Sequence, residues 1–143
     1  MNKPLLVVAL AALVLASGCG RDEARVGVNT KDAKITVAGG NASVALPDNF
    51  PKDVPIMPGA SVKGVINAGQ VTSIQMIASA SPQDTAKYYQ DNLGAQGWKV
   101  ENTIAAGKVT MFTAVKDTRQ VSFQIGDNDG KNAAIMISLR PKN

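Results

Sequence analysis

The stretch that decides the fold is Ser81-Pro82-Gln83-Asp84-Thr85-Ala86-Lys87-Tyr88-Tyr89-Gln90-Asp91-Asn92-Leu93-Gly94-Ala95-Gln96-Gly97-Trp98. Ser81 is a good N-cap and Pro82 suits the first helical position, where its missing N–H costs nothing. Asp84, three residues after the cap, makes a short capping box and sets a negative charge at the positive end of the helix dipole. Ala86, Tyr89 and Leu93, with Tyr88 beside them, fall at the spacing of an inward helical stripe. Gly97 fits the left-handed residue that closes a helix. That makes Trp98 and Leu93 the apolar pair that touch in a Schellman cap.

Outward from this helix the period changes to two. Ser61 to Asn67 and Val71 to Ser79 read as strands joined by the hairpin signal Ala68-Gly69-Gln70. After the helix come Trp98 to Ile104, Lys108 to Val115, Arg119 to Ile125 and Ala133 to Leu139, with alternation clear in Val121-Phe123-Ile125 and Ile135-Ile137-Leu139. Turns this short connect only antiparallel neighbours. Residues 61–143 are therefore expected to form an α+β domain: an antiparallel β-sheet with one α-helix packed on one face, in the order β-β-α-β-β-β-β.

Upstream, residues 47–60 hold four of the seven prolines, Pro47, Pro51, Pro55 and Pro58. Proline fixes φ and removes a donor, so this segment reads as an extended connector that carries Phe50, Val54 and Ile56 onto the core. Residues 25–46 contain three short alternating runs, Arg25 to Val28, Lys34 to Val37 and Ala42 to Leu46, and read as a small N-terminal β-meander at an edge.

The first 18 residues read as a lipoprotein signal peptide. Lys3 gives a positive start, Leu5 to Leu15 is apolar but too short to cross a bilayer, and Ala16-Ser17-Gly18 leads into Cys19. This resembles the lipobox of bacterial lipoproteins, in which the cysteine is alkylated with diacylglycerol and becomes the new N-terminus. Ala16 stands where that pattern usually has Leu. Residues 19–24 are then a lipidated tether, and the membrane is a partner through lipid on Cys19. Gly20, in place of a retaining Asp, implies the outer membrane facing the periplasm in a Gram-negative cell. In a Gram-positive one the anchor implies the outer face of the cytoplasmic membrane.

The strings Phe50-Pro51-Lys52-Asp53-Val54-Pro55-Ile56-Met57-Pro58-Gly59-Ala60 and Tyr88-Tyr89…Leu93…Gly97-Trp98 are similar to a loose group of bacterial lipoproteins. That group shares a "FP-DVP-YPGA" segment and a "YY…L…GW" helix. Met57 stands where the pattern often shows Tyr. The resemblance covers residues 46–100, carries no catalytic residues to transfer, and implies an envelope lipoprotein rather than an activity.

Composition narrows the chemistry. The 143 residues contain no histidine, which removes the commonest general base, the commonest metal ligand and every Ser-His or Cys-His pair. The lone cysteine is assigned to lipid. Ser61 with Lys63, or Ser122 with Lys131, are the only Ser-Lys dyads the reading offers, and nothing in the sequence positions them. Asp127-Asn128-Asp129-Gly130 begins like a calcium loop, yet Lys131 and Ser138 occupy places where an EF-hand needs oxygen ligands, so a hairpin turn explains it better. Fifteen basic and eleven acidic residues, scattered singly, leave no nucleic-acid footprint. The expectation is a non-enzyme without cofactor or metal, acting as an envelope interaction module for a protein or polymer. The alternatives are an immunity or inhibitor lipoprotein against a cell-wall hydrolase or other toxin, and a small-ligand carrier with Tyr88, Tyr89, Met57 and Met76 lining a pocket. Tyr88, Tyr89 and Trp98 are the candidate partner or ligand surface.

Overall fold

The computed structural model describes residues 25–142; Cys19, the leader and the tether lie outside them. The helix forms where the sequence places it. α1 runs Pro82–Ala95 with Ser81 extended at its N-cap. The Ser81 hydroxyl accepts from the Asp84 N–H at 3.1 Å and donates to the Asp84 carboxylate at 2.8 Å. At the other end Gly97 has φ +83. Trp98 N–H reaches back to Leu93 O at 2.9 Å and Gly97 N–H to Gly94 O at 3.0 Å, the two bonds of a Schellman cap.

Eight strands make one antiparallel sheet: β1 Arg25–Asn29, β2 Ala33–Ala38, β3 Ser61–Ala68, β4 Val71–Ala78, β5 Lys99–Ala106, β6 Val109–Lys116, β7 Arg119–Asp127 and β8 Ala133–Pro141. Their spatial order is β1-β2-β3-β4-β8-β7-β6-β5, so β1 and β5 are its two edges and the sheet stays open. Every hairpin pairs its own strands, and β8 closes the one gap by lying beside β4, with Ile74 opposite Ile137.

The expected α+β order is the one observed, with a difference at the N-terminus. The first two meander runs form β1 and β2 and continue the main sheet through β2–β3 pairing. The third run, Ala42 to Leu46, is not a strand. β2 already occupies the edge of β3, so this segment keeps a single ladder-like bond, Val44 N–H to Val62 O at 2.8 Å. Lys63 holds it further through the carbonyls of Gly40 and Ala42.

One face of the sheet carries the core. α1 lies over β5 to β8. The connector packs against the same cluster, with Val54 buried and Phe50, Ile56 and Met57 against it, and Val44 and Leu46 just upstream join them. Phe112 stacks on Phe123 at 4.8 Å between ring centres, and Tyr89 tilts against Phe123 at the same distance. Among the described residues no helix is long and apolar enough to cross a membrane.

Candidate binding surface

The three aromatic residues singled out in the sequence are brought together, but as a clamp on the connector rather than as an open surface. Tyr89 and Trp98 are buried, and only Tyr88 is partly exposed. Tyr88 Oη donates to Ile56 O at 3.2 Å, and Tyr89 Oη accepts the Met57 N–H at 3.3 Å. Burial pushes the Tyr89 hydroxyl up to about 12, so it stays neutral in its role as acceptor. Trp98 Nε1 donates to Asp53 O at 2.8 Å. Candidate surface positions Tyr89 and Trp98 are thus corrected to core: the two halves of the quoted motif hold each other.

Asp53 is a residue that sequence reasoning missed. Its carboxylate takes both guanidinium nitrogens of Arg119, at 3.0 and 2.7 Å, and Lys116 Nζ at 2.9 Å. Arg119 lies 5.0 Å over the Trp98 ring, in cation–π contact. Lys116 also donates to Gln96 O at 2.7 Å, placing a cation on the C-terminal end of α1. The Arg119 guanidinium chiefly, with Lys116 behind it, holds the Asp53 carboxyl down at about 2.

The face turned away from α1 is different. Cross-strand neighbours share a face, so the ladder registers place whole rows there. One row is Ser73, Ser138, Ser122 and Thr113; the next is Gln75, Met136, Gln124, Met111 and Ile104. The first row ends on Glu101 of β5, opposite Thr113; the second contains no charged side chain. Ser73 and Ser138 share a 2.9 Å hydrogen bond. Two depressions open on this face and share Gln124 and Met136. One, about 400 Å³, sits over Ala134 and Gly126 beside Lys63 and Gln75. The other, about 330 Å³, lies between Ile104, Met111, Ser122 and Ser138. Among the described residues the exposed large apolar side chains are Val26, Val28, Val37, Val71, Ile104, Met111 and Met136. Register and alternation put all seven on this helix-free face.

No pocket opens between α1 and the sheet at the place the carrier reading needs: Tyr89 and Met76 are filled core positions. Lys63 spends its ammonium on the Gly40 and Ala42 carbonyls, and so forms no dyad with Ser61. The Asp127 to Asn132 loop is a turn held by its own backbone. Asp127 accepts the Gly130 N–H at 2.6 Å and Lys108 Nζ at 2.6 Å, and Asp129 accepts the N–H groups of Lys131 and Asn132. Lys108 chiefly, with the Gly130 N–H, holds the Asp127 carboxyl below its ordinary value, and the Asn132 side-chain amide chiefly, with the two N–H groups, does the same for Asp129. No group of three or more metal-ligating side chains occurs among the described residues.

Comparison with known proteins adds one finding. A family described as START domain-like matches residues 60–131, from the start of β3 to the loop after β7 and half of the chain. No curated protein and no solved structure matches.

Proposed function

We propose a function from one premise: this chain belongs to the START domain-like family. It acts as a non-enzymatic binding module of the cell envelope, held at a membrane by lipid on Cys19, and it binds through the helix-free face of the sheet. START-like domains are in general ligand binders, which supports binding over catalysis. The observation that carries the reading is the distribution of unspent side chains. Beneath α1 the helix side is filled, and a large depression on that side, about 550 Å³ between Lys34, Thr36, Val65 and the 44–49 segment, lies away from the helix; the opposite face gathers every exposed large apolar residue described. It also carries two adjoining depressions lined mainly by amides, hydroxyls, thioethers and apolar groups, with Lys63 and Asp127 also lining the first. Such a surface suits a neutral partner with both polar and apolar groups, an envelope protein or polymer. Its charged groups are single, Lys99, Glu101 and Arg140 standing on separate strands or rows, so it offers no basic cluster to a polyanion.

Two measurements test this. Palmitate labelling of cells is expected to mark the chain and to vanish in Cys19→Ser; labelling unchanged in that variant removes the anchor. A photo-reactive residue in place of Gln124 is expected to give a discrete adduct in the envelope that the same group at Asp91, on the exposed side of α1, does not. Adding Met136→Glu should abolish the adduct. Equal adducts from positions 124 and 91, or none from 124, remove the binding face.

A further inference from the structure

The two edges of the sheet are guarded differently. β5 breaks its ladder with a bulge between Glu101 and Ile104, where Asn102 has φ +48, a device that turns an edge away from further strands. β1 has no such device. Its five residues pair with β2 in unbroken register, are all exposed, and include neither proline nor an acidic residue.

The ladder also fixes which backbone groups of β1 are unspent. Thr30 N–H donates to Ala33 O at 2.8 Å, which makes 30 and 33 a hydrogen-bonded pair. Bonded and non-bonded pairs alternate along an antiparallel ladder. Val28 with Ile35 and Val26 with Val37 are therefore the bonded pairs, and Arg25, Gly27 and Asn29 turn their N–H and C=O groups outward.

We infer that β1 is a dimerisation edge, pairing antiparallel with β1 of a second copy about Gly27. In that register all three outward residues find outward partners. Gly27 faces Gly27 of the second copy, and Arg25 faces Asn29 in both directions. No like charges meet. Val26 of each copy falls opposite Val28 of the other, so the exposed valines continue the helix-free face across the junction. A shift of one residue in the pairing places outward groups opposite inward ones; a shift of two loses a bonded pair. Anchorage adds to this: Arg25 lies six residues after Cys19, about 20 Å of chain. Copies held that close to one membrane meet at raised effective concentration. This last argument rests on the lipid anchor proposed above; the register does not.

Gly27→Cys tests the pairing directly. A Cβ at Gly27 meets only Ile35 O, at 3.9 Å, so the strand accepts it. Facing residues of a bonded pair have Cα atoms about 5.5 Å apart, within disulfide reach. Mild oxidation of membranes carrying the full chain is expected to give a covalent dimer from Gly27→Cys and none from Ala105→Cys on β5, with the parent as control for Cys19. Gly27→Pro deletes one outward N–H and no bond to β2. The detergent-solubilised protein is expected to fall from twice the monomer mass to the monomer mass with its melting temperature kept. A monomeric parent, equal cross-linking from both cysteines, cross-links only to other proteins, or a dimer that persists in Gly27→Pro would overturn the inference. Palmitate labelling run in parallel separates the two readings. A labelled monomer ends the dimer and leaves the anchor; an unlabelled dimer ends the anchor and leaves the pairing.

Discussion

The two faces of this sheet are built by the same strands and differ in what covers them. On the helix side Ile74, Phe123 and Ile137 are 0 to 2% exposed, while Met136, next to Ile137 in β8, is 38% exposed on the other side. Strand alternation makes this division possible, because each residue step reverses the face. The helix side gathers the aromatic rings, and most of the stability is concentrated there. The opposite side keeps amides and hydroxyls with few intramolecular partners, and loses little if they change. The lesson is that the face that holds the fold together and the face proposed to bind are placed back to back. A variant can therefore damage one and spare the other.

The largest expected effect is on the helix side. Trp98→Ala should destabilise the domain by about 3–5 kcal/mol in urea unfolding, the range for truncating a buried aromatic residue, since it also leaves Asp53 O without its donor. A cost below about 1 kcal/mol would break the comparison at its strongest point. Gly97→Ala comes next, at about 1–2 kcal/mol. At φ +83 an added Cβ has room, its nearest neighbour being Lys116 Cε at 3.8 Å, so the cost is backbone strain alone. Asp53→Asn should cost about 1 kcal/mol, the ion pair being partly open to water. Because the Asp53 carboxyl titrates at about 2 in the fold against an ordinary 3.8, its contribution is complete above the ordinary value. That contribution is lost as pH falls through the window towards 2. Acid unfolding curves of the parent and of Asp53→Asn should therefore draw together as pH falls below 3.8 and meet only near pH 2, and parallel curves from pH 7 to about 2 would refute that assignment. The smallest effect belongs to the open face. Met136→Gln should change stability by no more than about 0.5 kcal/mol, and a larger loss would mean that this face also holds the fold together.

Much of this architecture was legible, for identifiable reasons. The caps of α1 are local, so Ser81, Asp84, Gly97 and Trp98 announced both ends within a few residues. Strand alternation and short turns gave the hairpins, because those pairings join chain neighbours. What the sequence concealed depends on contacts between distant residues. Asp53 meets Lys116 and Arg119 across 63 and 66 positions, and no spacing rule connects an acid in a proline-rich segment with cations at a distant hairpin. The run Ala42 to Leu46 alternates like a strand, yet strandhood needs an open partner edge, and β2 had taken it. Tyr89 and Trp98 read as inward positions by spacing and cap, yet stayed candidates for a surface, because an aromatic residue on a helix or at its cap reads much the same until something covers it. The covering element was the connector.

The order in which the N-terminal elements attach gives the molecule a direction of mechanical failure. A pull arriving from the N-terminal side reaches β1 at Arg25, the end of the β1–β2 hairpin farthest from its turn. The ladder then opens one pair after another, from Arg25 with Ala38 towards Asn29 with Lys34, as a zipper rather than in shear. β2 follows from its Ala33 end. The tear next meets the segment that Lys63 grips by the carbonyls of Gly40 and Ala42. It then comes to the connector, tied at Asp53 to Arg119, Lys116 and Trp98. The hairpin thus yields before the helix-covered core carries load, as a fuse placed between a taut line and the part worth keeping.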